Sequence, residues 1–359
     1  MTPKKIGVLT FHNYDNYGAI LQSYALQKCL ERLGAEAEII DYRCDYISNP
    51  FQLKRLKNKG IFNYIYGAIG YICYLPRRKK CNEFRKLLKY SAPVGRSTVA
   101  SVDGKYDVFL AGSDQIWDWH LTDFDRTFFL DFVTKGKKCS YAASLGEHLP
   151  PEEMQAEYRE LLQKFDRILT REAYGADVVE KLLGNRPDCT CDPTLLLTGE
   201  EWEPLMEQRK NRKPYILVYQ LGVNPSFVKF VKRMQQKTGL DVVYVPFPLV
   251  GAVKCSMQLT AGPARWLRLF KDAQYVLTDS FHGAVFSLLF RKPFFVRVDG
   301  HHVNRRVQEL LERLQLTERI ISDDLPDEKL TAPIDYTFAD AELQKMREDS
   351  LQKLAEVIA

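Results

Sequence analysis

The sequence predicts an α/β protein built from two doubly wound domains. Short runs of apolar, β-branched and aromatic residues alternate with longer stretches of helical period, and most of the short runs end in a polar turn. This alternation indicates parallel sheets with helices packed on both faces. The chain has 359 residues, which is enough for two domains that each bury their own core.

The composition is that of an ordinary globular protein, and the formal charge of +5 is mild. Such a charge suits an anionic substrate but does not indicate nucleic acid, and no nucleic-acid-binding module is recognisable. The eight cysteines include no CxxC pair, so Cys189 and Cys191 are expected to fill space in a buried strand rather than to bind a metal. The chain begins with an apparent strand rather than a signal peptide, and we expect a reduced, cytoplasmic protein.

The first domain opens as a strand, a polar loop, a helix and a second strand. Ile6 to Phe11 is predicted as the first strand, residues 12–18 as the loop, and Ala37 to Ile40 as the next strand, with a helix of apolar period between them. The loop lies at the carboxyl end of its strand, where ligands bind in open α/β sheets. It lacks the Gly-x-Gly-x-x-Gly spacing, so a dinucleotide site of that type is not expected.

In the remaining sequence, predicted strands and helices alternate in the same way. In the first domain, further strands are predicted at 106–111, 138–143, 167–170 and 190–197, with helices at 151–165 and 171–183. After a charged linker over 198–213, strands are predicted at 215–219, 242–245, 275–277 and 294–296, with helices near 225–237, 263–271, 282–290 and 303–314. The predicted domains are residues 1–205, with an insertion around 45–100, and residues 206–335. A helical tail, 336–359, returns to the first domain or forms a dimer contact.

One strand of the second domain runs into an unusual turn. The turn reads Asp279-Ser280-Phe281-His282-Gly283 and leads into an apolar helix. Asp279 or Ser280 can cap this helix, and His282 lies in its first turn, where free backbone N–H groups face outward. An imidazole beside such a helix terminus is a candidate acid/base site. A capped helix with an incidental histidine fits the local pattern equally well.

Residues 61–75 are apolar and aromatic, with lysines and arginines on both sides. The segment is shorter than the roughly 20 residues that a membrane-spanning helix needs. A buried helix or an active-site lid is favoured over a segment that lies on an anionic membrane surface.

Seven segments, in order, resemble the polysaccharide pyruvyl transferase family. They are IGVLTFHNYDNYGAILQSYALQKCL (6–30), LAGSDQIW (110–117), SYAASLG (140–146), LTRE (169–172), DPTLL (192–196), DSFHGAVFSLLF (279–290) and NRRV (304–307). The resemblance implies a GT-B architecture of two Rossmann-like lobes that face a cleft. It also implies transfer of pyruvate from phosphoenolpyruvate to two hydroxyls of a sugar as a cyclic ketal, with release of phosphate and with no metal or further cofactor.

The resemblance also implies roles for individual residues. His282 is expected to act in acid/base chemistry or to contact phosphate, and Asp114 is expected to accept a proton from the acceptor hydroxyl. The donor anion is expected to meet Arg171, Ser280, Gly283, Arg305 and Arg306. The acceptor sugar is expected to meet Asn13, Asp15, Asn16, Tyr17, Gly18, Ser113 and Gln115. Structural alternatives stay open: an ion pair between Arg171 and Glu172, a helix cap at Ser113 or Asp114, and an ordinary turn at 13–18.

The sequence departs from the family at one position. Some members carry an arginine two residues before the histidine, where this chain has Ser280. Either Arg171 and Arg305 or Arg306 supply the missing charge, or the donor differs. Two other functions therefore remain in view: glycosyl transfer from a nucleotide-sugar, and non-catalytic carbohydrate binding in an assembly. The leading expectation is modification of a cell-surface polysaccharide precursor, whose sugar is lipid-linked if residues 61–75 contact the membrane.

Overall fold

A computed structural model describes residues 2–44, 46, 74–146, 149–209, 213–222, 224–246, 255–298, 305–322 and 324–359. The chain divides into two compact units. Unit 1 comprises Met1–Ile72, Cys81–Leu196 and Lys345–Ala359, and unit 2 comprises Cys73–Lys80 and Leu197–Gln344. The division after Leu196 falls earlier than the predicted boundary at residue 205, and the last helix contributes residues to both units.

Unit 1 contains a parallel sheet with helices between its strands. The strands are β1 (Lys5–Leu9), β2 (Glu36–Ile39), β3 (Val108–Ala111), β4 (Lys137–Ser140), β5 (Leu169–Thr170) and β6 (Asp188–Cys189). Among the described residues up to Leu183, the helices are α1 (Tyr17–Arg32), α2 (residues 74–85, which begins in unit 2), α3 (Trp119–Thr122), α4 (Glu152–Leu162) and α5 (Ala173–Leu183). The strand order is β2-β1-β3-β4. Isolated bridges join β4 and the residues just after it to the chain around β5, so the β5-β6 pair continues this sheet.

Unit 2 contains a second sheet, which is parallel throughout. Its strands are β7 (Tyr215–Gln220), β8 (Asp241–Pro246), β9 (Cys255–Met257), β10 (Tyr275–Thr278) and β11 (Phe294–Val296), in the order β11-β10-β7-β8-β9. The remaining helices are α6 (Gly199–Trp202), α7 (Pro225–Thr238), α8 (Pro263–Asp272), α9 (Phe281–Leu289), α10 (Arg305–Arg313) and α11 (Thr337–Ile358).

An aromatic cluster supports helix α9 in unit 2. The ring of Phe286 lies edge-on to Trp202 and Trp266, with ring centroids 5.2 and 5.1 Å apart. All three side chains are fully buried. Because rings of this size dominate the apolar area that a core removes from water, the cluster fixes the position of α9 and therefore of the turn before it.

Two predictions about the second half of the chain are wrong. Residues 190–197 do not form a strand, because the Asp192 carboxylate accepts the amide of Thr194 and Pro193 has no N–H to donate to a sheet. The predicted linker contains helix α6, which begins with a capping box between Thr198 and Glu201. Strand β9 was not predicted.

The aromatic segment 61–75 lies outside the described residues except for its last two. Among the helices that the structure describes, none combines the length and the apolar character needed to cross a bilayer.

We expect Phe286→Ala to lower the free energy of unfolding of unit 2 by about 3–5 kcal/mol, because it empties the centre of the aromatic cluster. Urea denaturation followed by far-UV circular dichroism measures this loss. The matched control is Leu259→Ala, at a side chain 46% exposed, which should change stability by less than about 0.5 kcal/mol. Equal effects of the two substitutions would contradict the proposed support of α9.

Candidate functional site

The order of strands in unit 2 places a crevice beside β7. Strand β8 lies on one side of β7 and β10 on the other, so the connections leave in opposite directions. Ligands bind at the carboxyl ends of the strands at such a reversal. The carboxylate of Asp279, just after β10, accepts the backbone amides of Leu221 and Gly222, just after β7, at 2.7 and 3.0 Å. These two bonds tie the His282 turn to the facing loop.

Local hydrogen bonds shape the turn itself. Ser280 is the N-cap of α9, and its hydroxyl accepts the amide of Gly283 at 3.4 Å, so of the two expected capping residues it is Ser280 that caps. The hydroxyl of Thr278 donates to the carbonyl of Tyr219 at 2.7 Å and accepts the amide of Ser280 at 3.1 Å. A Cβ at Gly283 would lie 2.2 Å from the Thr278 hydroxyl, so only glycine fits here. Ser280 and Gly283 therefore have structural roles, and their contact with the donor stays a prediction.

His282 lies in the first turn of α9 and is 8% exposed. Its ring is edge-on to Phe281, with centroids 5.3 Å apart. The guanidinium of Arg306 lies over the Phe281 ring, 5.6 Å from its centroid. Arg305 instead pairs with Glu309 at 3.6 Å, with more than half of its side chain exposed. Arg306 thus contacts a ring of the His282 turn, and a donor contact stays a prediction for both arginines.

Further polar residues lie at this edge of the sheet that were not predicted from the sequence. Arg297 follows β11, and its amide donates to the carbonyl of Thr278 at 2.9 Å. Tyr244 donates its hydroxyl to the side-chain oxygen of Gln220 at the end of β7. Burial, with the nearby charge of Asp279, raises the pKa of Tyr244 to about 12, so its hydroxyl stays protonated. Their positions could have identified Arg297 and Gln220, because each directly follows the end of a predicted strand.

Unit 1 has a corresponding reversal between β1 and β3. The hydroxyl of Thr10, after β1, donates to the carbonyl of Ser113, after β3, at 2.8 Å. Ser113 is fully buried, and its own hydroxyl donates to the carbonyl of Ala142. Asp114 adopts a φ of 77°, a left-handed conformation that costs free energy for a residue with a Cβ and is common at functional sites. Helix α3 is capped by Asp118, so the capping alternative for Ser113 and Asp114 is wrong.

Arg171 lies at the centre of a buried charge cluster in unit 1. Its guanidinium contacts Glu172 at 2.7 Å, Asp192 at 2.9 Å and Asp114 at 3.8 Å. Burial alone would lower the pKa of Arg171, but the charges of the three carboxylates raise it above its usual value. The ion pair with Glu172, one of the two interpretations left open by the sequence, is confirmed. Arg171 thus positions Asp114, and a direct contact with a donor anion would have to compete with these carboxylates.

The predicted acceptor residues of the first loop have unequal surroundings. Asn16 caps α1, with its side-chain oxygen accepting the amide of Gly18 at 2.8 Å. Tyr17 and Gly18 are buried in the first turn of that helix. Asp15 pairs with Arg85 at 2.6 Å. Asn13 lines a cavity, and Gln115 in the loop after β3 is half-buried. The turn-forming role is therefore confirmed for Asn16, and contact with a sugar stays a prediction for all of these residues.

Comparisons with known proteins identify the family and the fold. A family model described as polysaccharide pyruvyl transferase matches residues 16–298, most of the chain. No curated protein sequence matches the chain. A structure described as a UDP-N-acetylglucosamine 2-epimerase from Listeria monocytogenes is similar, with 12% identity, a TM-score of 0.56, and coverage of 99% of this chain and 91% of that chain. The UDP-GlcNAc 2-epimerase from Methanocaldococcus jannaschii is also similar, with 12% identity, a TM-score of 0.50, and coverage of 98% and 99%. The predicted GT-B fold is thereby confirmed.

We expect Arg171→Met to lower the free energy of unfolding by about 3–5 kcal/mol near neutral pH, because it leaves buried carboxylates without their counter-ion. Protonation in acid removes the unpaired negative charges of the variant. The stability deficit should therefore be small in acid and grow as the pH rises towards neutral. Urea denaturation at a series of pH values measures this dependence.

Arg167→Met is the matched control for that substitution. Arg167 pairs with Asp188 at 2.6 Å, but nearly half of each side chain is exposed. Solvent screens such a pair, so its loss should cost less than about 1 kcal/mol and should depend little on pH. A deficit in Arg171→Met that does not shrink in acid would show that the carboxylates are not its cause.

Proposed function

The chain belongs to the polysaccharide pyruvyl transferase family, and from that membership we propose that it transfers pyruvate from phosphoenolpyruvate to two hydroxyls of a saccharide. The product is a cyclic ketal on a cell-surface polysaccharide precursor, and inorganic phosphate is released. The observation that carries the proposal is the His282 turn of unit 2. It stands at the strand-order reversal, where the Asp279 carboxylate ties it to the loop after β7.

The donor requires cationic and N–H groups, because phosphoenolpyruvate carries a phosphate and a carboxylate. The first turn of α9 supplies outward-facing backbone amides, which favour an anion. Arg306, whose guanidinium lies over Phe281, is the cation that we assign to this anion. We assign no donor contact to Arg171, since Glu172, Asp192 and Asp114 already surround its charge.

The reaction removes one proton from each of the two acceptor hydroxyls and adds one proton to carbon 3 of the donor and one to the released phosphate. A proton is added to carbon 3 of the donor, so that carbon 2 becomes an electrophile that the first sugar hydroxyl attacks. The bond from carbon 2 to the phosphate oxygen then breaks, and the second hydroxyl attacks the same carbon. The two hydroxyl protons balance the proton gained by carbon 3 and the proton taken up by phosphate. We assign His282 to proton transfer or phosphate contact on the donor and Asp114 to a hydroxyl proton of the acceptor.

The geometry around Asp114 supports its assignment. Its backbone is held in the left-handed conformation, and its carbonyl accepts the amide of Ser144 from the neighbouring strand end at 3.0 Å. Arg171 lies 3.8 Å from its carboxylate and so orients it within the buried cluster. Asn13 and Gln115, at the carboxyl ends of adjacent strands, are the amides that we assign to the sugar hydroxyls.

We expect His282→Asn to reduce the rate of pyruvyl transfer by about 10²–10⁴-fold, because asparagine keeps the polarity but cannot exchange a proton. The assay incubates the full chain with phosphoenolpyruvate and a panel of sugars. It measures phosphate release, together with the mass gain of one pyruvic acid less one water on the sugar. Unfolding midpoints of the variant and the native chain should agree to within a few degrees.

Arg306→Met and Arg305→Met form a matched pair of neighbouring substitutions. We expect Arg306→Met to raise KM for phosphoenolpyruvate and Arg305→Met to change it far less, because Arg306 lies over Phe281 of the His282 turn whereas Arg305 pairs with Glu309. Stabilisation of the native chain by a nucleotide-sugar but not by millimolar phosphoenolpyruvate would overturn the donor assignment and favour glycosyl transfer.

A further inference from the structure

A cavity of about 350 Å³ opens in unit 1 at the carboxyl ends of β1 and β2. Its volume is in the range of small-molecule sites. Its polar lining includes His12, Asn13, Asp41, Arg85 and Tyr90. Among these residues only Asn13 was predicted to contact a ligand. The proposed reaction therefore gives no role to the other polar side chains of the cavity.

The Asp41 carboxylate and the His12 ring of this lining already have hydrogen-bond partners. One oxygen of the Asp41 carboxylate lies 2.9 Å from Nε2 of His12, and the other accepts Nη2 of Arg43 at 2.6 Å. Burial would raise the pKa of Asp41, but the bonds and charges of His12 and Arg43 outweigh it and lower the pKa. Nδ1 of His12 lies 3.0 Å from the carbonyl of Thr10. Both ring nitrogens of His12 thus lie at hydrogen-bond distance from oxygen atoms of the protein.

Donor groups, in contrast, remain available. Arg85 is 8% exposed; its Nε donates to the carbonyl of His12 at 2.9 Å, and its Nη1 donates to Asn82 and pairs with Asp15. Its Nη2 is buried and has no hydrogen-bond partner among the described residues. The hydroxyl of Tyr90 is buried and, within the same ranges, equally unpartnered. Burial raises the pKa of Tyr90, so this hydroxyl is a donor at neutral pH.

The charged groups of the lining are already paired with one another. Arg43, Arg85 and His12 contact the two carboxylates, Asp41 and Asp15. Lys86 at the rim pairs with Glu83 at 2.8 Å and adds no net charge. A neutral sugar hydroxyl brings its own donor and needs an acceptor, whereas an oxyanion brings acceptors alone. The cavity therefore matches an oxyanion better than a neutral hydroxyl.

We propose that this cavity binds an oxyanion, a phosphate or a carboxylate, carried by the saccharide acceptor. Arg85 and Tyr90 donate to it, and Arg43 contributes charge at the opening. The proposal rests on the proposed function, because it assigns an anionic sugar as the acceptor class.

Calorimetric titration of the full chain at low ionic strength tests the proposal with glucose 6-phosphate, glucuronate and neutral glucose. We expect at least one of the two anionic sugars to bind about tenfold or more tightly than glucose, since charge-assisted hydrogen bonds replace neutral ones. A preference for glucose 6-phosphate identifies a phosphate as the ligand group, and a preference for glucuronate identifies a carboxylate. Equal binding of all three sugars overturns the proposal.

Tyr90→Phe and Arg85→Met locate the binding in this cavity. Tyr90→Phe removes one buried hydroxyl and preserves the ring, so it remains informative if Arg85→Met fails to fold. Both should abolish most of the preference for the anion. Arg186→Met is the control, because Arg186 is an exposed arginine of unit 1 that pairs with Asp177 and Glu180. Retention of the preference in folded Tyr90→Phe contradicts the assignment.

Titration with phosphoenolpyruvate separates this proposal from the proposed function. Tyr90→Phe should keep the phosphoenolpyruvate affinity of the native chain and lose the anion preference, whereas Arg306→Met should do the reverse. If phosphoenolpyruvate does not bind the native chain while the anion preference depends on Tyr90, the proposed function fails and the oxyanion site stands.

Discussion

The bond between the Asp279 carboxylate and two consecutive backbone amides is the constraint on which the candidate site of unit 2 depends. At the reversal of strand order, the loop after β7 leaves in one direction and α9 in the other, so the amides of Leu221 and Gly222 have no sheet partner of their own. A single carboxylate satisfies both, and hydrogen bonds to a charged group stabilise by about 1.5–3 kcal/mol each. With the loop held, Thr278 and Ser280 can order the turn. The side of α9 that carries His282 is thereby fixed.

Much of this local geometry could be predicted from sequence, because it depends on neighbours in the chain. The apolar runs around residues 215–219 and 275–277 became β7 and β10 within one residue at their ends, and Ser280 caps α9 as its position suggests. The strand predicted at 190–197 was wrong because its apolar residues pack in a short helical turn that Asp192 and Pro193 impose. Periodicity alone does not distinguish a buried strand from a buried turn of this kind.

Contacts between distant residues could not be predicted in the same way. The sequence offers Arg171, Arg305 and Arg306 as equivalent cations, yet folding surrounds Arg171 with carboxylates from two other segments and places Arg306 over Phe281. Arg85 and Asp41 likewise meet the first loop from separate parts of the chain, and nothing in their local sequence marks them. The role of a charged side chain depends on the charges that the fold places around it. Those neighbours depend on the topology of the whole sheet.

The serine at the start of α9 connects local helix capping with the contacts between distant residues. An arginine at this position would have no acceptor in its side chain with which to cap the helix. Ser280 accepts the amide of Gly283, so here the residue stabilises the helix end and brings no charge to it. A cation for a bound anion must then come from another element. Helix α10 contacts α9, and the guanidinium of Arg306, near the start of α10, lies over the ring of Phe281. The serine and the stacked arginine are thus complementary parts of one arrangement, in which capping and charge are supplied by different helices.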